Sequence, residues 1–220
     1  VVGNDALWSL GTSMLTVVLG HMENSQDMLA AHALVGYIDK FAVVICLGLA
    51  SAAAVMVGKS IGEGRDRAAV RALGGPLLKV STLAGLLSGL LLLLLMPVFF
   101  RPFLFPLFQL TEGAVYAATC MVCLMAVFMA LRTLALVAIT GVFRGGGDVR
   151  TATIIDLLPL WCVSIPLAAL FALVLELDVF WTCFAIYAEN LVKAPLCLWR
   201  FRGGRWINDV TKAKGEWTSP

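Results

Sequence analysis

VSTLAGLLSGLLLLLLMPVFF, residues 80–100, runs for 21 residues without a charged side chain. An α-helix rises about 1.5 Å per residue and a bilayer's hydrocarbon core is about 30 Å thick, so the stretch is long enough to cross a membrane. It lies in the middle of the chain, so it is not the apolar core of a cleaved leader. Composition agrees with a membrane protein. Of 220 residues, 60% are hydrophobic and 14% charged, and the mean hydropathy is +0.93. Soluble domains use roughly 45–50% apolar residues.

Working outward, charges and turn residues delimit five more apolar runs. The spacing predicts spans at 1–20, 31–57, 77–100, 114–143, 153–175 and 179–199. All six are expected to be helices, because backbone polar groups in lipid must pair within the segment and no run shows the period-two alternation of a barrel strand. The second and fourth are longer than a perpendicular crossing needs and are expected to tilt or protrude. The fold class is therefore an all-α polytopic membrane protein: a six-helix lobe over residues 1–200, then a basic tail over 201–220.

Basic residues fall on one side of this arrangement. Lys59, Arg65, Arg67, Arg71 and Lys79, then Arg144 and Arg150, then Arg200, Arg202, Arg205, Lys212 and Lys214 all belong to alternate connections or the tail. The opposite connections carry Arg101 alone. This asymmetry places the basic side, and the carboxyl terminus, in the cytoplasm. Trp199 and Trp206 at that side and Trp181 at the other are placed as interfacial anchors.

The glycine turn GVFRGGGDVR, residues 141–150, looks at first like a phosphate cradle. A Walker loop ending in Gly58, Lys59 and Ser60 requires glycine where Ala53 stands. A dinucleotide fingerprint requires a third glycine where Arg150 or Arg67 stands, after a strand that neither stretch has. The turn instead reads as a tight connection between membrane helices, with glycines for positive φ and close approach. No nucleic-acid or nucleotide partner is expected.

Three stretches carry a resemblance: GLASAAAVMVGKSIGEGRDRAAVRA (48–72), GVFRGGGDVRTATIIDLLPLWCVSIPLA (141–168) and LVKAPLCLWRFRGGRW (191–206). In this order they closely resemble the carboxyl-terminal half of the multidrug and toxic compound extrusion (MATE) family, over nearly the whole chain. The resemblance implies one lobe of a twelve-helix secondary antiporter, which exports cationic or polyaromatic organic compounds in exchange for sodium ions or protons. A start at Val1 directly in a span, and no repeat within the six helices, lead to the same expectation of a half-transporter whose amino-terminal six-helix lobe is missing.

Ionisable residues inside spans are functional candidates. Here they are Asp5, Asp39 with Lys40, Arg132, Asp156, and Glu189 with Lys193. Arg132 lies about 16 Å and Glu189 about 15 Å from the basic side, counting residues along their helices. An ion pair between them, joined by Lys193 one turn from Glu189, is the expected arrangement; direct handling of a cation is the other. Asp156 is expected near the interface, or capping the glycine turn. Asp5, in GNDALWSLG (3–11), lies about 23 Å before the far end of its helix, inside the hydrocarbon core if that helix continues upstream and a helix cap if it does not. In MATE relatives the matching stretch often reads like NELLWSLG, so the resemblance implies that Asp5, in place of glutamate, is the cation-coupling carboxylate.

Met121, Met125 and Met129 recur along one face of the fourth span, either as a soft substrate-lining surface or as ordinary helix packing. Cys120 and Cys123 lack further ligands at zinc spacing, and His21 and His32 lack a catalytic neighbour, so neither a metal nor an enzyme is expected. Pro159, Pro166 and Pro195 are expected to bend their helices. Beyond sodium or protons as coupling ion no cofactor is expected; the expected partners are organic cations, the bilayer and the missing lobe. The alternatives are a lipid-linked saccharide flippase of the same broader superfamily and a non-transporting membrane subunit. A flippase would line its lumen with more cations than Lys40, Arg132 and Lys193.

Overall fold

The computed structural model describes residues 2–208. Six helical segments run through them, each over one of the apolar runs: α1 (Val2–Gly20), α2 (Ser25–Gly62), α3 (Arg67–Leu107), α4 (Glu112–Phe143), α5 (Val149–Val174), and a sixth in two pieces, α6 (Val179–Tyr187) and α7 (Glu189–Arg202). Among the described residues there is no sheet, only an isolated bridge between Gly147 and Ile207. α2, α3, α4 and α5 are each long and apolar enough to cross a membrane. α1 is 19 residues long and carries Asn4 and Asp5, and Ala188 interrupts the sixth segment.

Prolines interrupt the hydrogen bonding of these helices without ending them, and in α3 and α5 π-type turns accompany them, as they also do in proline-free Val137–Phe143 of α4. A proline supplies no N–H, so the carbonyls behind it need other donors. In α3, which contains Pro97, Pro102 and Pro106, the Phe105 N–H reaches back five residues to the Phe100 carbonyl. In α5, with Pro159 and Pro166, the Ile165 N–H bonds Leu160 and the Leu175 N–H bonds Leu170 in the same way. These π-type turns keep the segments continuous past Pro159 and Pro166, and α7 continues as α-helix through Pro195.

α4 is the central helix: 72% of its most apolar stretch is buried, against 22–28% in α2, α3 and α5. α3 lies close against it at Gly85, where a Cβ would come within 2.8 Å of both Ala130 Cα and the Met129 carbonyl. α2 takes another side of α4, with Cys46 Sγ 3.2 Å from Thr133 Oγ1. α1 lies on α5, where Leu15 and Val18 meet Leu160, Ala168 and Ala172. The outward face of α3 leaves Leu83, Leu86, Leu87, Leu90, Leu91 and Leu94 exposed. That distribution suits lipid, where small residues bring helices together and large apolar ones face outward.

The three basic connections gather at one end of the bundle. Arg71 donates to the Arg202 carbonyl at 2.5 Å, and the Asn208 N–H donates to the Gly146 carbonyl at 2.7 Å. The glycine turn is a docking point for Trp206. A Cβ on Gly146 would lie 2.6 Å from the Trp206 ring and 2.7 Å from its carbonyl oxygen, and Gly147 adopts φ 83°. Trp206 is therefore not an interfacial anchor, as its position in the sequence had implied. The chain reverses after α7, stacks Trp206 on Phe201 with ring centroids 5.6 Å apart, and buries it completely. Trp199 and Trp181 remain exposed, as anchors would be. The first residues of the expected tail thus pack onto the lobe, while Lys212 and Lys214 lie outside the described residues.

Candidate functional site

The richest polar site in the bundle joins four helices near the basic end. Asp156 on α5 is its centre. Its Oδ2 accepts from the Asn4 carboxamide on α1 at 3.1 Å and lies 3.9 Å from the Arg144 guanidinium just past α4, while its Oδ1 is 3.4 Å from Lys193 Nζ on α7. Lys193 is also 3.2 Å from Glu189 Oε1, one turn earlier on its own helix. Asn4 and Lys193 are buried. Three buried polar atoms there have no hydrogen-bond partner: Asn4 Oδ1, Glu189 Oε2 and Arg144 Nε. Such atoms are costly in an apolar interior, so they mark capacity the cluster does not use internally.

Local structure places these groups. Ser164 on α5 puts its hydroxyl 2.9 and 2.8 Å from the carbonyls of Ala185 and Ile186, where the sixth segment breaks. Glu189 consequently opens α7, and Lys193 four residues later falls on the same face, toward α5. On α1, Asn4, Gly11, Leu15 and Val18 share the buried face. Gly11 sits against Leu160 and Trp161 of α5, which brings Asn4 within reach of Asp156.

Two sequence expectations are corrected here. Arg132 does not pair with Glu189. It grips both oxygens of Asp39 on α2 in a forked pair, while Glu189 is held by Lys193. The two residues share a depth, but Arg132 points from α4 to α2 and Glu189 faces Lys193; electrostatic reach between them is all that remains of the expected pair. Nor does Asp156 cap the glycine turn. Asp148 does so, accepting from the Thr151 N–H, and it is fixed by Arg200 at 2.6 Å.

Asp5 is exposed on the lobe, and its carboxylate contacts Asn4 Nδ2 at 3.5 Å. One carboxamide therefore lies between two carboxylates, Asp5 outside and Asp156 inside. Met121, Met125 and Met129 are fully buried: the first two pack in the core shared with α2, and Met129 lies against α3. In this lobe they are packing residues of α4, on the face turned away from exposed Val127. Asn4 and Arg144 were not among the sequence candidates. The stripe of Asn4 with Gly11 was the available signal for the first, and Arg144 carries none beyond its place at the end of a span.

A family model described as MatE matches residues 2–170 of the chain. A solved structure, "MATE transporter ClbM in complex with Rb+", shares its fold with a TM-score of 0.79 at 21% identity. The match covers 92% of this chain and 46% of that one, so the chain spans about half the length of the solved transporter. No curated protein matches the chain.

Proposed function

Because this chain belongs to the MatE family, we propose that it is the carboxyl-terminal lobe of a secondary antiporter that exports cationic or polyaromatic organic compounds in exchange for sodium ions or protons. The observation that carries this reading is the charged cluster of Asp156, Glu189, Lys193 and Arg144, held with Asn4 inside a bundle whose α2, α3, α4 and α5 are each long and apolar enough to cross a membrane. Charges there are expensive to keep unless they handle an ion or a substrate. In this reading the basic end is cytoplasmic, and an amino-terminal six-helix lobe packs against this one, the two rocking to expose a shared site alternately to each side. Asp5 is the coupling carboxylate: it faces outward from this lobe and is tied through Asn4 to Asp156. Neutralising it with sodium or a proton changes the cost of its surroundings and biases the lobe between two arrangements.

The test is transport by the full-length protein in proteoliposomes, with ethidium as the cationic cargo and either a sodium or a pH gradient imposed. Efflux that follows one of the gradients is expected. Absence of gradient-driven efflux in both arms would refute the antiporter reading.

A further inference from the structure

Lys193 is buried and placed between two carboxylates on different helices, 3.4 Å from Asp156 Oδ1 and 3.2 Å from Glu189 Oε1. The two contacts differ in kind. Glu189 and Lys193 belong to one turn of α7, so their contact persists however the helices move. Asp156 belongs to α5, so its contact with Lys193 is a strut between helices. The second oxygen of Glu189 has no partner, and neither has the side-chain oxygen of Asn4, whose amide holds Asp156 from the other side.

Resting on the antiport reading, we infer that Lys193 is a tethered counter-cation that holds Asp156 while no coupling ion is present and withdraws wholly to Glu189 when one arrives. The vacant Glu189 Oε2 supplies the second acceptor that the withdrawn ammonium needs. The vacant Asn4 Oδ1 and the released Asp156 Oδ1 are then open to the arriving cation, while Asp156 Oδ2 stays with the Asn4 amide. Positive charge at Asp156 Oδ1 is exchanged rather than added, while Arg144 stays 3.9 Å from Oδ2, so the cluster is never left with a bare buried carboxylate. Release of the strut loosens α5 from α7 at the level of Asp156 while the Asp148–Arg200 pair keeps them joined at the basic end, and this links ion arrival to helix movement. Lys193 is thus a positioning residue that sets how much coupling ion is needed. It competes with the ion, so the apparent affinity is the intrinsic affinity reduced by the fraction of time Asp156 is free.

Opposite shifts in two variants test the inference. In full-length protein in proteoliposomes, initial ethidium efflux is measured against sodium concentration at fixed pH, and separately against proton concentration without sodium. Lys193→Met removes the competitor and is expected to lower the half-saturating concentration of the driving ion about tenfold. Glu189→Gln removes the resting place and is expected to raise it severalfold, while Lys193→Arg stays near wild type. Half-saturation unchanged in both variants, or moved the same way in both, overturns the tether. If Lys193→Met does not fold, Glu189→Gln decides alone: a raised half-saturation supports the tether and an unchanged one sinks it. Failure of the wild type to move ethidium in either arm instead counts against the antiport reading itself.

Discussion

Removing one member of the Asp39–Arg132 pair should be far worse than removing both. The forked contact joins α2 to the central helix α4, and the two side chains are 28% and 26% exposed in the lobe. Stripping one partner from a buried ion pair costs about 3–5 kcal/mol, because the other charge is left uncompensated, whereas replacing both with apolar groups is often neutral. With about a quarter of each side chain accessible, the low end of that range, about 3 kcal/mol, is the appropriate figure for Arg132→Met. The partners are not equivalent. Asp39→Asn keeps a side chain that can still accept from the guanidinium, so it should be milder than Arg132→Met. At about 2–4 °C per kcal/mol for a domain of this size, Arg132→Met should lower the melting temperature by about 6–12 °C. The double variant Asp39→Leu with Arg132→Met should recover most of that loss. Thermal unfolding of the detergent-purified full-length protein, followed by size-exclusion chromatography after heating, gives the four corners of the cycle. Additive losses, with the double variant as unstable as the two singles summed, would refute the claim that the pair acts as a unit.

Gly146→Leu should destabilise the lobe by about 1–3 kcal/mol by overpacking, since even a Cβ there meets Trp206 at 2.6 Å, and the loss is readable as a lower melting temperature. For orientation, Arg65→Cys in a background lacking the native cysteines is exposed on the turn after α2, so an impermeant thiol reagent should label it in broken but not in intact cells; labelling of intact cells would invert the topology. Asp5→Asn in the full-length protein should abolish ion-driven ethidium efflux while leaving expression intact, because among the described residues the exposed carboxylate is hydrogen-bonded to Asn4 alone. Wild-type efflux by that variant would make Asp5 a helix cap and leave Asp156 as the coupling carboxylate.

Depth along a membrane helix is legible in sequence, because each residue advances a fixed distance; azimuth is not, until the packing partner is known. The six helical segments, the gathering of the basic turns and the role of the glycine turn as a close approach all depend on length and local chemistry; the helices lie over the runs those cues mark, although α2 and α3 extend beyond them, Ala188 breaks the sixth, and four of them are long and apolar enough to cross a membrane. The pairing of Arg132 with Glu189 depended on azimuth, and there depth misled: Asp39 continues the stripe of Val35, Cys46, Ala50 and Ala53 by which α2 faces α4, and so it reaches Arg132 first. Trp206 is a different kind of failure, since a buried fate for it required the chain to reverse after α7, and Gly204 at φ 64° is where it does. The same azimuthal argument divides the labour of Asn4 and Asp5. One residue is about 100° of helix rotation, so Asn4, on the stripe with Gly11 and Leu15, must face α5 once α1 lies on it, and Asp5 must face away. A carboxylate turned to the lobe's outer surface can meet an ion without unpacking any helix, but it cannot move one. The amide beside it meets Asp156, one end of the strut between α5 and α7, so on the proposed reading Asn4 links an outward carboxylate to the strut across about 100° of one helix turn.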